Sequence, residues 1–444
     1  MSASSRAIVI VLILGFAAYL GWALVHSATD IPTFNDFEVY HYIGGVAAQR
    51  QPIIYELTTP HQQRGPFLYP PSASVLLIPF SWLPHDVAGV IFSIVKVGCL
   101  LMLWWSGARF SGAPPRDALG YLLVMLGPAI MLHRPVASDV GNGQINIIVA
   151  AAAVGGVWLM MASKKWWWVG CLTLSWAIAI KMTPALLLAV PLVNRNWRGL
   201  LLTAALAVAL LIALPLGWYG GDGYRTMNEQ YREIAARFTF DWASPNEQTT
   251  PTEMFQFARL QSGAATTMPA DAPDLLTVPI SGYAGERLFD PRFRGPAVRF
   301  WFIFGAACGV IHLLGRLWVL RSRDGSLLRD WTWDTAMMCT FIVMLSPRVQ
   351  KAHLVILIVP AAWLAARLCN CFAPGHDPGA ARRGVIGIVG YAGICALFLT
   401  AENADVPLPG LTQPAHCLAL LGVLALLAMV IVAQRIDQRR LAPT

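Results

Sequence analysis

The chain has 444 residues, of which 56% are hydrophobic and only 13% charged, with a formal net charge of +8. Soluble proteins carry about 25% charged residues, and a water-soluble core stops growing at roughly 250–300 residues. A soluble single-domain enzyme, a disordered chain and a disulfide scaffold are therefore excluded. What remains is an all-α, polytopic helical membrane protein, read as one integral unit over residues 1–444. The basic residues sit in short loops between apolar blocks, as the positive-inside rule expects. No basic stripe interleaves with aromatics, so nucleic acid is not among the expected partners.

Apolar blocks approaching the ~20 residues needed to cross a bilayer give about 12 crossings. They fall at 7–25, 86–105, 117–133, 144–162, 166–180, 182–193, 199–218, 299–320, 331–346, 353–368, 385–401 and 415–434. The first is too long for a signal-peptide core and reads as a retained helix with its N-terminus inside. The stretch 72–84, broken by Pro79, reads as a half-buried helix at the outer surface. The short pair 166–180 and 182–193 reads as a tight hairpin or a re-entrant pair around Lys181. Basic connections such as Arg109/Arg116, Lys164/Lys165, Arg195/Arg198 and Arg382/Arg383 then share one face, the cytoplasmic one, with both termini. Two large outer loops follow, 26–85 and 219–298, the second opening amphipathically (YRTMNEQYREIAARF). Loops of this length are usually functional or disordered. No internal repeat is visible, which disfavours an inverted-repeat transporter. Six of the eight cysteines lie in apolar blocks, and Cys369 with Cys371 forms a lone C-x-C; all read as structural.

On this topology the outer face should be poor in cations, yet it carries Arg134, Lys181, Arg348 and Lys351, with His353 close by. Such a set suits an anionic lipid phosphate; each member alone could equally be snorkelling to membrane lipids. The first outer loop is opposite in sign, with Asp30, Asp36 and Glu38 beside Tyr40, His41 and Tyr42. Asp36 and Tyr40 share a face if the segment is helical. A carboxylate here can be a general base, a metal ligand or a solvated loop charge. Asp30, Asp36, Glu38 and Asp241 could gather oxygens for a divalent ion, but no ligand spacing supports one, and neither metal nor other cofactor is expected.

Several motifs in order resemble glycosyltransferase family 87. They are Asp36-Phe-Glu-Val-Tyr40, Gln51-Pro-Ile-Ile-Tyr55, Phe67-Leu-Tyr69-Pro-Pro71, Asn142-Gly-Gln144-Ile-Asn146, Lys181-Met-Thr-Pro184, Asn246-Glu-Gln248 and Ser346-Pro347 followed by His353. The likeness runs from the first helix to about residue 368. The family's tandem histidine is reduced here to His353 alone. The resemblance implies the GT-C fold and an inverting transfer of a sugar, most often mannose, from a polyprenyl-phosphate donor to a glycolipid or envelope-glycan hydroxyl. It would take place on the outer face of the bacterial cytoplasmic membrane. No P-loop and no dinucleotide-binding glycine pattern is present, and a lipid-borne donor needs neither. It further implies Asp36 as general base, with Arg134, Lys181, Arg348, Lys351 and His353 at the departing phosphate. Tyr40, Tyr69 and Trp242 are candidates to stack on sugar, or belong to an interfacial aromatic belt. Asn142 and Gln144 either bind sugar or cap the following helix, and Asn246 and Gln248 are candidate sugar or acceptor ligands. The alternatives are an arabinofuranose donor of the same kind, or a transporter or flippase of lipid-linked glycan.

Overall fold

The computed structural model describes residues 35–53, 55, 67–110, 118–240, 306–316, 331–345, 351–370 and 386–395, with scattered positions at 14–25 and 425–431. Every regular element among the described residues is helical. In chain order they are α1 (Asn35–Ala48), α2 (Pro71–Leu76), α3 (Ile78–Ser81), α4 (His85–Phe110), α5 (Ala118–Met131), α6 (His133–Gly141), α7 (Asn146–Ala162), α8 (Trp167–Ile180), α9 (Ala189–Val193), α10 (Trp197–Val208) and α11 (Leu214–Phe240). There follow α12 (Ala306–Arg316), α13 (Trp331–Leu345), α14 (Ile358–Asn370) and α15 (Ile386–Cys395). Short 3-10 turns at Thr183–Leu188 and Lys351–Leu357 lead into α9 and α14.

Among the described residues two helices are long and apolar enough to cross a membrane, His85–Gly107 and Trp197–Arg232. A third apolar unit, Pro135–Gly141 with Asn146–Ala162, is bent by 117° at a short break. Further apolar helices of 10–17 residues include Trp167–Ile180, Leu354–Leu368 and Ile386–Cys395. Within the apolar length of α4 the one charge is Lys96.

Close packing is set where small residues meet. A Cβ on Gly156 of α7 would lie 2.8 Å from the Gly170 carbonyl of α8, and one on Gly170 would lie 2.5 Å from the Gly156 carbonyl. The two backbones therefore touch, as small residues permit in membrane helix pairs. Similarly, Gly107 of α4 faces Ala362 of α14. Exposed Val90, Ile91, Ile94 and Leu101 on α4, Leu201 and Val208 on α10, and Ile212 just after it, mark the faces turned away from the core.

The stretch at 72–84 forms two short helices. Pro71–Val75 of α2 are buried, whereas Trp82 after α3 is 72% exposed. The Ser72 hydroxyl donates to the Ala179 carbonyl at 2.7 Å, tying α2 to the end of α8. Beside Lys181 the chain passes from α8 into a 3-10 turn, while the sharp 117° bend comes earlier, between α6 and α7. The amphipathic stretch YRTMNEQYREIAARF is helical as part of α11, with a non-helical break at Gly220 (φ 76°). Gln230 of that helix accepts a hydrogen bond from the Tyr55 backbone N–H at 3.2 Å.

Candidate active site

The site is built on the bend between α6 and α7. Gly141 ends α6, and Gly143 takes a left-handed conformation (φ 64°) that a side chain would strain. α7 then begins at Asn146 with no side-chain cap from Ile145. The Gln144 N–H donates to the Asp139 carbonyl at 2.9 Å, closing the turn. The Asp36 N–H, in the first turn of α1, donates to the Asn142 carbonyl at 3.1 Å. One backbone hydrogen bond therefore pins the start of α1 to the bend. Asp36 and Glu38 lie in the first turn of α1, where negative charge complements the helix dipole.

Among the described residues four charged groups gather around the bend. The Lys96 ammonium donates to the Asp139 carbonyl oxygen at 2.8 Å and lies 3.2 Å from its carboxylate. Both side chains are almost wholly buried, at 1% and 0% exposure, so each needs the other. Lys181, directly after α8, donates to Oδ1 of Asn146 at 2.7 Å. Asn146 Nδ2 donates to Oε1 of Gln144 at 2.8 Å. The Gln144 side chain in turn hydrogen-bonds the Asp36 carboxylate.

Asp36 keeps some accessible surface, but its carboxyl is set deep enough that burial pushes its pKa up to about 6. The Gln144 hydrogen bond opposes that rise; nearby Asp139 adds to it, and Lys96 and Lys181 moderate it. A carboxylate poised near neutrality is what proton abstraction from a hydroxyl requires.

Tyr40 lies one helical turn from Asp36 on the same face of α1. Its hydroxyl meets that of Tyr69 at 2.7 Å, with the rings edge to face at 5.5 Å. Burial raises both phenols well above their usual range, so both stay protonated. Tyr40 is 1% exposed and packs near Phe92. Its ring is thus a wall of the site in this conformation, while the partly exposed Tyr69 is nearer the surface. Asn142 is exposed and its side chain donates to the Ser138 hydroxyl at 3.3 Å. Neither Asn142 nor Gln144 caps α7.

Of the other residues singled out from the sequence, Arg134 lies in α6, and Lys351 and His353 lie in the 3-10 turn Lys351–Leu357; their side chains are outside the described residues. That turn packs against α6 and α7, so its backbone belongs to the same region. Arg348, Asn246, Gln248 and Trp242 lie outside the described residues. Lys96 and Asp139 escaped the sequence reading. The signal for Lys96 was present, because a lone lysine inside an apolar span is functional by default. Among the described residues no group of three or more His, Cys, Asp or Glu side chains could hold a metal ion.

A family model described as glycosyltransferase family 87 matches residues 67–347. That range contains Lys96, Asp139, Gln144, Asn146 and Lys181, and Asp36 precedes it. Two similar proteins, from Mycolicibacterium smegmatis and Mycobacterium tuberculosis, are both named polyprenol-phosphate-mannose-dependent alpha-(1-2)-phosphatidylinositol mannoside mannosyltransferase. The first is 28% identical over 222 residues, covering 47% of this chain and 49% of the relative. The second is 31% identical over 179 residues, covering 38% and 41%. The matched part of the chain thus spans less than half of each relative's length. Among solved structures, ArnT from Cupriavidus metallidurans bound to undecaprenyl phosphate aligns over 96% of this chain and 72% of its own, at 15% identity and a TM-score of 0.37. With more than half of its length matched by one family model, the chain belongs to glycosyltransferase family 87.

Proposed function

We propose that the chain is an inverting membrane glycosyltransferase of GT-C architecture. It would move mannose from polyprenyl-phosphate mannose to a hydroxyl of a glycolipid or envelope glycan. The proposed topology is about 12 crossings with both termini cytoplasmic and the site on the outer face of the cytoplasmic membrane. The supporting observation is the half-buried Asp36 carboxylate, raised to about 6 and set beside two lysines. The mannose donor is taken from the names of the two mycobacterial relatives.

In the proposed step the Asp36 carboxylate accepts the acceptor's hydroxyl proton. That oxygen bonds to the anomeric carbon from the face opposite the phosphate. The bond from the anomeric carbon to the phosphate oxygen breaks, and polyprenyl phosphate leaves with the electron pair. Lys181 uses one N–H on Asn146 and has two more for the phosphate, so it is placed to offset the growing charge. Lys96, held on Asp139, serves architecture first. The candidate cations Arg134, Arg348, Lys351 and His353 would complete the phosphate site. A single displacement inverts the anomeric centre, so a β-linked donor gives an α-linked product.

A carrier of lipid-linked glycan is the second reading, favoured by the bent α6–α7 pair and by a lysine well inside α4. A transporter built on inverted repeats needs broken helices in both halves, and Lys96 is already neutralised by Asp139.

One experiment separates the readings. The protein in nanodiscs is given labelled polyprenyl-phosphate mannose and a membrane-lipid acceptor pool, wild type beside Asp36→Asn. New labelled product with wild type alone is expected. Folded wild type that moves neither mannose nor arabinofuranose from its lipid phosphate, yet carries lipid-linked glycan across proteoliposomes, would replace the enzyme with the carrier.

A further inference from the structure

The hydrogen bonds from Lys181 to Asp36 have a direction that the chemistry of one member fixes. An ammonium group only donates. The Asn146 oxygen at 2.7 Å from Lys181 must therefore be its carbonyl, which turns the amide NH2 away from the lysine. That NH2 meets Gln144 at 2.8 Å, so the Gln144 atom there must be the carbonyl oxygen. Gln144 is then left with only its own NH2 to offer Asp36, and an NH2 can do nothing but donate. Turning either amide over would set donor against donor, and turning both would break the bond that Lys181 makes. Gln144 and Asn146 are both buried, at 8% and 6% exposure, and water does not compete for these bonds freely.

We propose that Lys181, Asn146 and Gln144 form a one-way hydrogen-bond relay that holds Asp36 as a pure acceptor, and so as the ionised base, with its remaining lone pairs turned to the substrate. This deepens, and rests on, the reading of Asp36 as the base. Lys181 thereby has two tasks: one N–H sets the relay, and the others remain for the donor phosphate. Asn146 and Gln144 are positioning residues, acting through Asp36 without touching the reacting atoms.

Among the described residues the charged and titratable groups around Asp36 are Tyr40 on its own helix, Tyr69 before α2, Lys96 on α4, Asp139 on α6 and Lys181 after α8. His85, at the start of α4, lies against Phe37 next in the chain. Every one of these is retained when Asn146 is replaced by leucine. The variant therefore cuts the relay without removing a charge.

The test follows the protonation of Asp36 directly. Infrared difference spectra of the protein in nanodiscs are recorded against pH, and the Asp36 carboxyl band is identified by its loss in Asp36→Asn. Wild type should titrate near pH 6. Gln144→Leu removes the last donor, and its midpoint should rise by about one pH unit, a tenfold change in proton affinity. Asn146→Leu should shift it by the same amount although Gln144 is still present, because the freed amide no longer has a fixed direction. A midpoint unmoved in Asn146→Leu, with Gln144→Leu shifted, would overturn the relay and leave Gln144 an independent donor. A midpoint unmoved in both would remove the pair from Asp36 altogether. Should Asn146→Leu not fold, Asn146→Ala, which also removes the amide without touching a charge, gives the same decision. The spectra need no turnover, so a protein that transfers no mannose fails the proposed function while the relay is still decided.

Discussion

Two carboxylates of this chain, one buried and one half-buried, are treated in opposite ways. Asp334 of α13, 1% exposed, is gripped by a fork. Arg316 Nε donates to one oxygen at 2.8 Å and Nη2 to the other at 3.0 Å. Asn194 donates to the second oxygen at 2.9 Å, and His312 lies 3.4 Å from the first. The guanidinium also stacks over Trp333. The group joins α12, α13 and the end of α9, and both oxygens of the carboxylate are used. Asp36 is instead met, among the described residues, by one amide, and part of it stays accessible. A bidentate arginine fork is a strong and specific way to spend a carboxylate. An amide leaves lone pairs over and the proton affinity adjustable. The closed cluster is architecture, and the open one is where a proton can be taken.

The same substitution at both sites breaks the comparison most directly. Asp36→Asn should lower mannosyl transfer by about 10²–10⁴-fold, the usual worth of a general base, with the protein still folded. Asp334→Asn leaves Arg316 buried beside a neutral amide, which should cost about 3–5 kcal/mol of stability. Thermal unfolding in detergent reads that loss, and turnover per folded molecule should survive. Loss of turnover without loss of stability in Asp334→Asn would move the chemistry to the other cluster.

Much of the helical frame was legible because apolar length is a local property. The expected 144–162 and 166–180 blocks appear as Asn146–Ala162 and Trp167–Ile180. The i, i+4 placement of Asp36 and Tyr40 was legible too, since α1 is helical through both. The bend was not. Its α6 half, HRPVASDVG, has too few apolar residues to announce a helix and is held by packing against the turn at Lys351–Leu357. Nor was the pairing of Lys96 with Asp139, 43 residues apart and on different helices. Spacing in sequence carries no mark of such a contact. The relay was half visible: Asn142-Gly-Gln144-Ile-Asn146 and Lys181 drew attention as separate motifs. Only the fold places Lys181 on Asn146, 35 residues away.

The open carboxylate should also show itself in stability against pH. Its folded-state value near 6 lies above the usual value near 4. The folded protein thus holds this proton more tightly than the unfolded chain. The contribution to stability is fully present below about pH 4 and is lost as pH rises through 6, by on the order of 2–3 kcal/mol. Activity runs the other way, since the base works only when ionised, so transfer should rise with pH through an acid limb near 6. Asp36→Asn, free of this ionisation, should melt above wild type at pH 7.5, and the gap should close on acidification towards pH 4. A gap that does not change with pH would mean that Asp36 is solvated like any loop carboxylate, and the contrast with Asp334 would lose its electrostatic half.

The smallest effect tests whether the bend itself matters to the open site. Gly143 sits at φ 64°, between the Asn142 carbonyl that holds α1 and the Gln144 amide that meets Asp36. A side chain in this region costs roughly 1–2 kcal/mol, and the backbone can relieve it only by rotating one of those two groups away from Asp36. Gly98, on α4, has ordinary helical geometry, and a methyl group there would meet nothing within 4 Å. Gly98→Ala should therefore be neutral or stabilise by up to about 1 kcal/mol. Gly143→Ala should lower stability by a similar amount and lower transfer several-fold. The decisive quantity is the ratio of the two losses. If Gly143→Ala costs stability and spares transfer, the bend supports the bundle and not the base. If transfer falls while unfolding hardly moves, the left-handed glycine is there to aim Gln144.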